Sequence, residues 1–306
     1  MQNQWVPLLD CLREDVPEVT VHGAVAWVHG DQLIHSYGTT LCYGRSLMKP
    51  YQIKVFAQDL DAVLGWEAKA IALASHNAET AQLAAARSIL SNADLRWLQT
   101  PAALPLVTAG SRAKKPTRWN HPCSGKHAAI LAGCKLRGWS RHDYLSADHP
   151  YFAAYLAALR TVLGADWTPA VTAVDGCGLP TLTMTMQEMA SLFAALAAQK
   201  ENDWIWPAMV RHPELVGGRN RLDTAIIIAG DGKVVAKEGA DGLLGLAVDH
   251  PAYPNGLGIV IKIAHGWDPK ATWFVAAQIL EKLGVKLQNT HQFSGQKVFV
   301  HDSVAI

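Results

Sequence analysis

The chain has 306 residues, half of them apolar and 17% charged, with 27 basic against 26 acidic side chains and a net charge of +1. That length and apolar content suffice for one large domain or two packed lobes, and they exclude an intrinsically disordered chain. The balanced charge offers no basic patch for nucleic acid and no cationic amphipathic stretch for a membrane surface.

Taken in order, Met1-Gln2-Asn3-Gln4-Trp5 lacks the basic-then-apolar pattern of an export signal. No apolar run reaches the ~20 residues that a membrane-spanning helix needs. The cysteines, Cys11, Cys42, Cys123, Cys134 and Cys177, are odd in number and widely spaced, which predicts reduced thiols in a cytoplasmic protein. Residues 19–28, rich in β-branched and aromatic side chains, read as a strand. The turn His29-Gly30-Asp31 leads to a second strand over 32–37. From Ser46 to about Leu215 the apolar spacing turns helical. It predicts helices over 49–64, 78–90, 126–137, 151–163 and 185–199, with Gly65 and Gly138 as stops for the first and third.

Strand signals return over 224–229, 233–237 and 258–263, the first two joined by a Gly230-Asp231-Gly232 hairpin turn. Asp268 then opens a last helix with Pro269 at its first position, ending at Gly284. The layout predicts an α+β fold. One antiparallel sheet draws strands from both ends of the chain, as a sheet lobe of residues 1–45 and 216–306. Residues 46–215 form an inserted helical lobe, and an active site is expected at the seam.

Three short patterns carry chemistry. Ser46-Leu47-Met48-Lys49 places a hydroxyl and an amine three residues apart, hence on one face of a helix whose positive end would favour an oxyanion. Alone, Ser-x-x-Lys is more often a helix cap beside a solvated lysine. Ser75-His76-Asn77 follows the apolar run 70–74, and Lys237-Glu238-Gly239 closes a strand. Each has an ordinary alternative: a helix cap for the first and an edge-strand charge for the second. Ser-x-x-Lys, Ser-x-Asn and Lys-x-Gly in this order are the nucleophile, relay and strand elements of serine β-lactamases and penicillin-binding proteins.

Two turn-rich blocks remain, Asn120-His121-Pro122-Cys123-Ser124-Gly125-Lys126-His127 and Asp175-Gly176-Cys177-Gly178-Leu179-Pro180. Buried thiols are the usual fate of cysteine. A two-thiolate metal site needs further ligands, and His127 is the conventional choice. Lys126 is chemically less suited, since an amine with a reference pKa of about 10.4 must lose its proton to bind a metal. A Cys123/His127 nucleophilic pair is a further alternative.

Arg45-Ser46-x-x-Lys49-Pro50, Ser75-His76-Asn77-x-Glu79, Cys123-Ser124-Gly125-Lys126-His127 and Asp175-Gly176-Cys177-Gly178-Leu179-Pro180 resemble the signature blocks of the rhizobial-type (class 3) L-asparaginases, the asparaginase II family. Arg211-His212-Pro213-Glu214, Arg221-Leu222-Asp223-Thr224 and Lys237-Glu238-Gly239-Ala240-Asp241 fit the same family, and the resemblance runs from about Val21 to Gly284. Ala264-His265 stand where many members have an acidic pair.

The resemblance implies a serine-β-lactamase-like fold, a homodimer, and hydrolysis of L-asparagine to L-aspartate and ammonia. It implies Ser46 with Lys49 and Ser75 with Lys237 as two Ser–Lys pairs. It also implies a zinc ion held by Cys123, Lys126 and Cys177, which moves His127 from the metal to the substrate pocket beside Asp175. Asp175 would meet the substrate ammonium, and Arg45 and Asn77 its carboxylate and amide. In this scheme Lys49 activates the serine once burial and Lys237 have lowered its proton affinity. The alternatives are a glutaminase or broader amidase, a β-lactam-acylating protein, and a non-catalytic protein that senses zinc or oxidants through Cys123 and Cys177.

Overall fold

The computed structural model describes residues 3–106, 115–266, 269–288 and 296–306. The chain divides into two compact units: residues 1–47, 183–198 and 225–306, and residues 48–182 and 199–224. Residues 183–198, read from the sequence as part of the helical insertion, fall with the strands.

The first unit is built on a seven-stranded antiparallel sheet. Its centre is the long strand Val16–His29. One edge of this strand pairs with Tyr253–Ile263, and the other with Val6–Arg13 and then Gln32–Tyr37. Leu243–His250 and Val234–Glu238 extend the sheet beyond Tyr253–Ile263, and Lys297–Val300 extends it beyond Val6–Arg13. Leu257 to Ile261 are buried without alternation, so this stretch is covered on both faces. Helix Met186–Ala198 lies on the sheet at very short range. A β-carbon at Gly258 would stand 1.9 Å from the Ala190 carbonyl oxygen, so glycine is what admits the helix backbone. Helix Pro269–Lys282 also packs on Tyr253–Ile263. Its expected opening residue, Asp268, lies outside the described residues.

The sequence signals missed several strands, including Val6–Arg13, Leu243–His250 and Lys297–Val300. Leu243–His250 is buried almost throughout and therefore lacks the alternation that marks a half-exposed strand. The strand expected over 224–229 is a correction, because Leu222–Ala229 is a helix. Its Ile226-Ile227-Ile228 run favours a strand by local preference, but tertiary contacts at the helix start override it. The Thr224 hydroxyl donates to the Pro213 carbonyl and accepts from the Gly217 and Gly218 amides. Gly230-Asp231-Gly232 accordingly joins a helix to a strand rather than two strands.

In the second unit, helix Trp66–Ala72 packs against Thr80–Ser88, Ser124–Leu136, Ile205–Arg211 and Pro213–Val216. The single helix expected over 49–64 is two, Lys49–Lys54 and Ala57–Asp61. The break has a cause. Arg137 donates to the Val55 carbonyl at 2.6 Å and Trp204 to the Ala57 carbonyl at 2.7 Å, so two acceptors are taken from the helical ladder. The Phe56 ring meanwhile stacks on Tyr151, with centroids 5.7 Å apart.

Helix Ser124–Leu136 meets Trp66–Ala72 at Gly125, where a β-carbon would come within 2.3 Å of the Ile71 carbonyl oxygen. The clash is with backbone and cannot be relieved by a rotamer change. Gly125→Ala is expected to cost about 2–3 kcal/mol by overpacking, read as a lowered thermal midpoint.

Candidate active site

Lys49 opens its helix and is fully buried. Its amine donates to the Ser75 hydroxyl at 2.9 Å, to the Ala74 carbonyl, and to the Pro122 carbonyl at 3.4 Å. These contacts fix the amine beside the Ser75 hydroxyl. Ser75 leaves the end of helix Trp66–Ala72 and is held on both sides. Its amide donates to the Val216 carbonyl at 2.9 Å, and its own carbonyl accepts from Arg221 at 3.0 Å.

The residues after Ser75 form a locked loop. Asn77 donates its amide to Glu79 and to the Arg219 carbonyl, both at 3.1 Å, and accepts from Arg221 at 3.3 Å. Glu79 is the N-cap of helix Thr80–Ser88 and forms a capping box with Gln82. Ala78 takes a left-handed backbone with φ +65°, and its amide donates to His76 Nδ1 at 3.1 Å. With Nδ1 accepting, Nε2 is the protonated nitrogen of a neutral His76 and donates to the Ser124 hydroxyl at 2.8 Å. Burial, reinforced by the Lys49 charge, brings the His76 pKa down to about 3. His76 thus ties the Ser75 loop to the helix that begins at Ser124.

That helix carries the sulfur chemistry. Cys123 is its N-cap residue, with its amide donating to His121 Nδ1 at 3.1 Å, and Lys126 lies within its first turn. Cys177 sits in the tight turn Asp175–Leu179 between strands Thr172–Val174 and Pro180–Thr185. The Lys126 amine donates to Cys177 Sγ at 3.3 Å, and Cys177 Sγ stands 3.9 Å from the Asp175 carboxylate. Hydrogen bonding between the Cys123 and Cys177 thiols holds the Cys123 thiol well below the usual range while raising that of Cys177. Lys49 and Lys126 add to the Cys123 effect. Burial works against the charge on Lys126, but Cys177, Cys123 and Asp175 outweigh it, and its pKa is raised.

Two thiols and an amine therefore converge in a buried site next to a carboxylate. Thiolate with nitrogen is a donor set suited to a borderline-soft dication such as zinc, provided that the metal displaces their protons. Among the described residues, no group of three or more His, Cys, Asp and Glu is arranged to hold a metal ion.

His127 follows Lys126 and is fully buried, with its Nδ1 2.8 Å from the Tyr144 hydroxyl. Burial, then the Lys126 charge, hold its pKa well below the usual value. Tyr144 carries no motif and was missed from the sequence. Its only signal is an aromatic residue with a polar tip within an otherwise polar stretch.

The remaining expected residues belong to the sheet unit. Ser46 is half-buried in a 3-10 turn, Arg45–Met48, rather than at an α-helix start. Arg45 enters that turn with a left-handed φ of +46° and pairs with Asp241 at 2.6 Å. Lys237 is fully buried at the end of Val234–Glu238 and donates to the Glu238 carbonyl at 2.9 Å.

The sequence profile of the L-asparaginase II family matches residues 9–304, nearly the whole chain. The chain belongs to the L-asparaginase II family. No individual curated protein matches it. Membership in this family implies an amidohydrolase acting on a small-molecule amide, and it supports an α+β architecture for the curled antiparallel sheet and its helices. Among the described residues, no helix is long and apolar enough to cross a membrane.

Proposed function

We propose that the protein is an L-asparaginase that hydrolyses the side-chain amide of L-asparagine to L-aspartate and ammonia through a serine ester. The observation that carries this reading is the family match over residues 9–304. The buried contact between Lys49 and Ser75 supports a Ser–Lys mechanism, because a free hydroxyl needs an adjacent base near neutral pH.

In this reading Ser46 attacks the amide carbon, with Lys49 three residues on as its base. Lys49 acts in its neutral form, favoured by burial and by the second cation Lys237. Its lone pair takes the Ser46 proton as the ester forms, and the Ser75 contact is the route by which that same proton reaches the leaving nitrogen. Lys237, a buried amine, is assigned to polarise Ser75. Backbone N–H groups near Ser46 would stabilise the oxyanion. Water then cleaves the ester with the same base. Asp175 is assigned to the substrate ammonium, His127 to the substrate pocket, and Arg45 to the substrate carboxylate. The inward use of the Asn77 amide makes it a support of the Ser75 loop as much as a substrate contact.

Cys123, Lys126 and Cys177 would hold the zinc ion. When bound, such an ion supplies a Lewis acid that polarises a nearby oxygen. The same reading includes a serine-β-lactamase-like fold, a homodimer and a cytoplasmic location.

The test compares ammonia release from L-asparagine and L-glutamine, before and after treatment with a chelator. Asparagine is expected to be the better substrate by at least tenfold, and chelation is expected to lower that rate. Equal rates would point to a broader amidase. Zinc binding without ammonia from any amide would point to a zinc- or thiol-responsive protein. Failure of a fluorescent penicillin to label Ser46 would set aside β-lactam acylation.

A further inference from the structure

The hydrogen bonds around Tyr144 fix more than its own position. The Tyr144 hydroxyl is fully buried and accepts the Gln99 backbone amide at 3.1 Å. A phenol has one proton, and an amide N–H can only donate, so the Tyr144 proton is free to go elsewhere. Among the described residues, the other hydrogen-bond partner is His127 Nδ1 at 2.8 Å. The proton therefore points to Nδ1, which must accept with its lone pair. In a neutral imidazole the remaining proton is then on Nε2. That atom is buried and has no hydrogen-bond partner among the described residues. A buried donor left unmade is costly, so its partner is to be sought beyond the described residues, and a bound ligand supplies one.

We infer that Tyr144 is a positioning residue that locks His127 in the Nε2–H tautomer, and that His127 acts as a hydrogen-bond donor to an oxygen acceptor of the bound ligand. Resting on the proposed asparaginase reading, that acceptor is a carbonyl or carboxylate oxygen of the amino-acid substrate. The assignment also decides between the roles open to His127 on sequence grounds. With Nδ1 occupied by Tyr144 and Nε2 carrying a proton, neither nitrogen offers a lone pair to a metal or to a nearby thiol. The His127 and Tyr144 rings also meet edge to face, with centroids 5.6 Å apart and planes at 78°.

The test is a long-range proton–nitrogen correlation spectrum of the 15N-labelled protein, with the His127 signals identified by their loss in His127→Gln. A protonated Nε2 and an unprotonated Nδ1 are expected in the wild-type protein. In Tyr144→Phe the two nitrogens are expected to average between tautomers. The same variant is expected to raise KM for L-asparagine about tenfold while kcat changes less than about threefold, as for loss of one oriented hydrogen bond.

A wild-type spectrum with the proton on Nδ1 overturns the inference. So does a folded Tyr144→Phe protein in which the nitrogen pattern and KM both stay as they were, since a purely structural tyrosine would change only stability. If Tyr144→Phe does not fold, the wild-type spectrum decides alone. Absence of ammonia release from asparagine would sink the proposed activity but leave the spectrum to judge the tautomer.

Discussion

Ser46→Ala is expected to lower ammonia release from L-asparagine by about a thousandfold or more, while the protein stays folded. The expected loss is large because, in the proposed acyl-enzyme route, Ser46 supplies the attacking hydroxyl and the route closes without it. Stability changes little because Ser46 is half-buried in a short 3-10 turn, where truncation to alanine leaves no cavity. Rapid acid quench of wild-type turnover followed by mass spectrometry is expected to show an ester on the peptide containing Ser46. Substantial activity in Ser46→Ala, or an ester on Ser75 in its place, would exchange the roles of the two serines.

Lys49→Met is the second large effect, and it differs in kind. Methionine keeps the length of the side chain but removes the amine, so the Ser75 hydroxyl and the Ala74 and Pro122 carbonyls lose a shared donor. A thousandfold or greater fall in kcat is expected from loss of the base. It is accompanied by about 1–3 kcal/mol of destabilisation from buried acceptors left unpaired, partly offset by removing a buried charge. Thermal unfolding and ammonia release measured on one preparation separate the two losses. Ser75→Ala should cost less in stability than Lys49→Met, since it leaves both carbonyl contacts of the amine in place. If Lys49→Met keeps kcat near the wild-type value, Lys49 is a structural cation and the Ser–Lys mechanism fails.

Much of the fold was legible because its signals are local. Gln32–Tyr37 and helices Ser124–Leu136, Pro150–Leu163 and Met186–Ala198 declare themselves by the periodicity of their apolar residues, with Gly138 as a stop for the first of these helices. The illegible elements are those whose burial erases the pattern, such as Leu243–His250, or whose local preference is overruled, such as Leu222–Ala229. The division of the 49–64 stretch depended on side chains of Arg137 and Trp204, far along the chain, reaching its carbonyls.

For the site the division is similar. Residue type and order alone determined which groups carry chemistry: a serine and a lysine three apart, a second serine after an apolar run, and two cysteines in turn-forming blocks. Those are covalent facts, and they are enough to mark the family. Tertiary structure alone decided the partners. It gave Lys49 to Ser75, tied His76 to Ser124, and brought Cys177 to Lys126 across fifty-one positions of sequence. It also supplied Tyr144, whose role depends on a single proton that Gln99 leaves it to donate. Hydrogen bonds between residues remote in sequence have no local signature, because the geometry that makes them exists only after the core has packed.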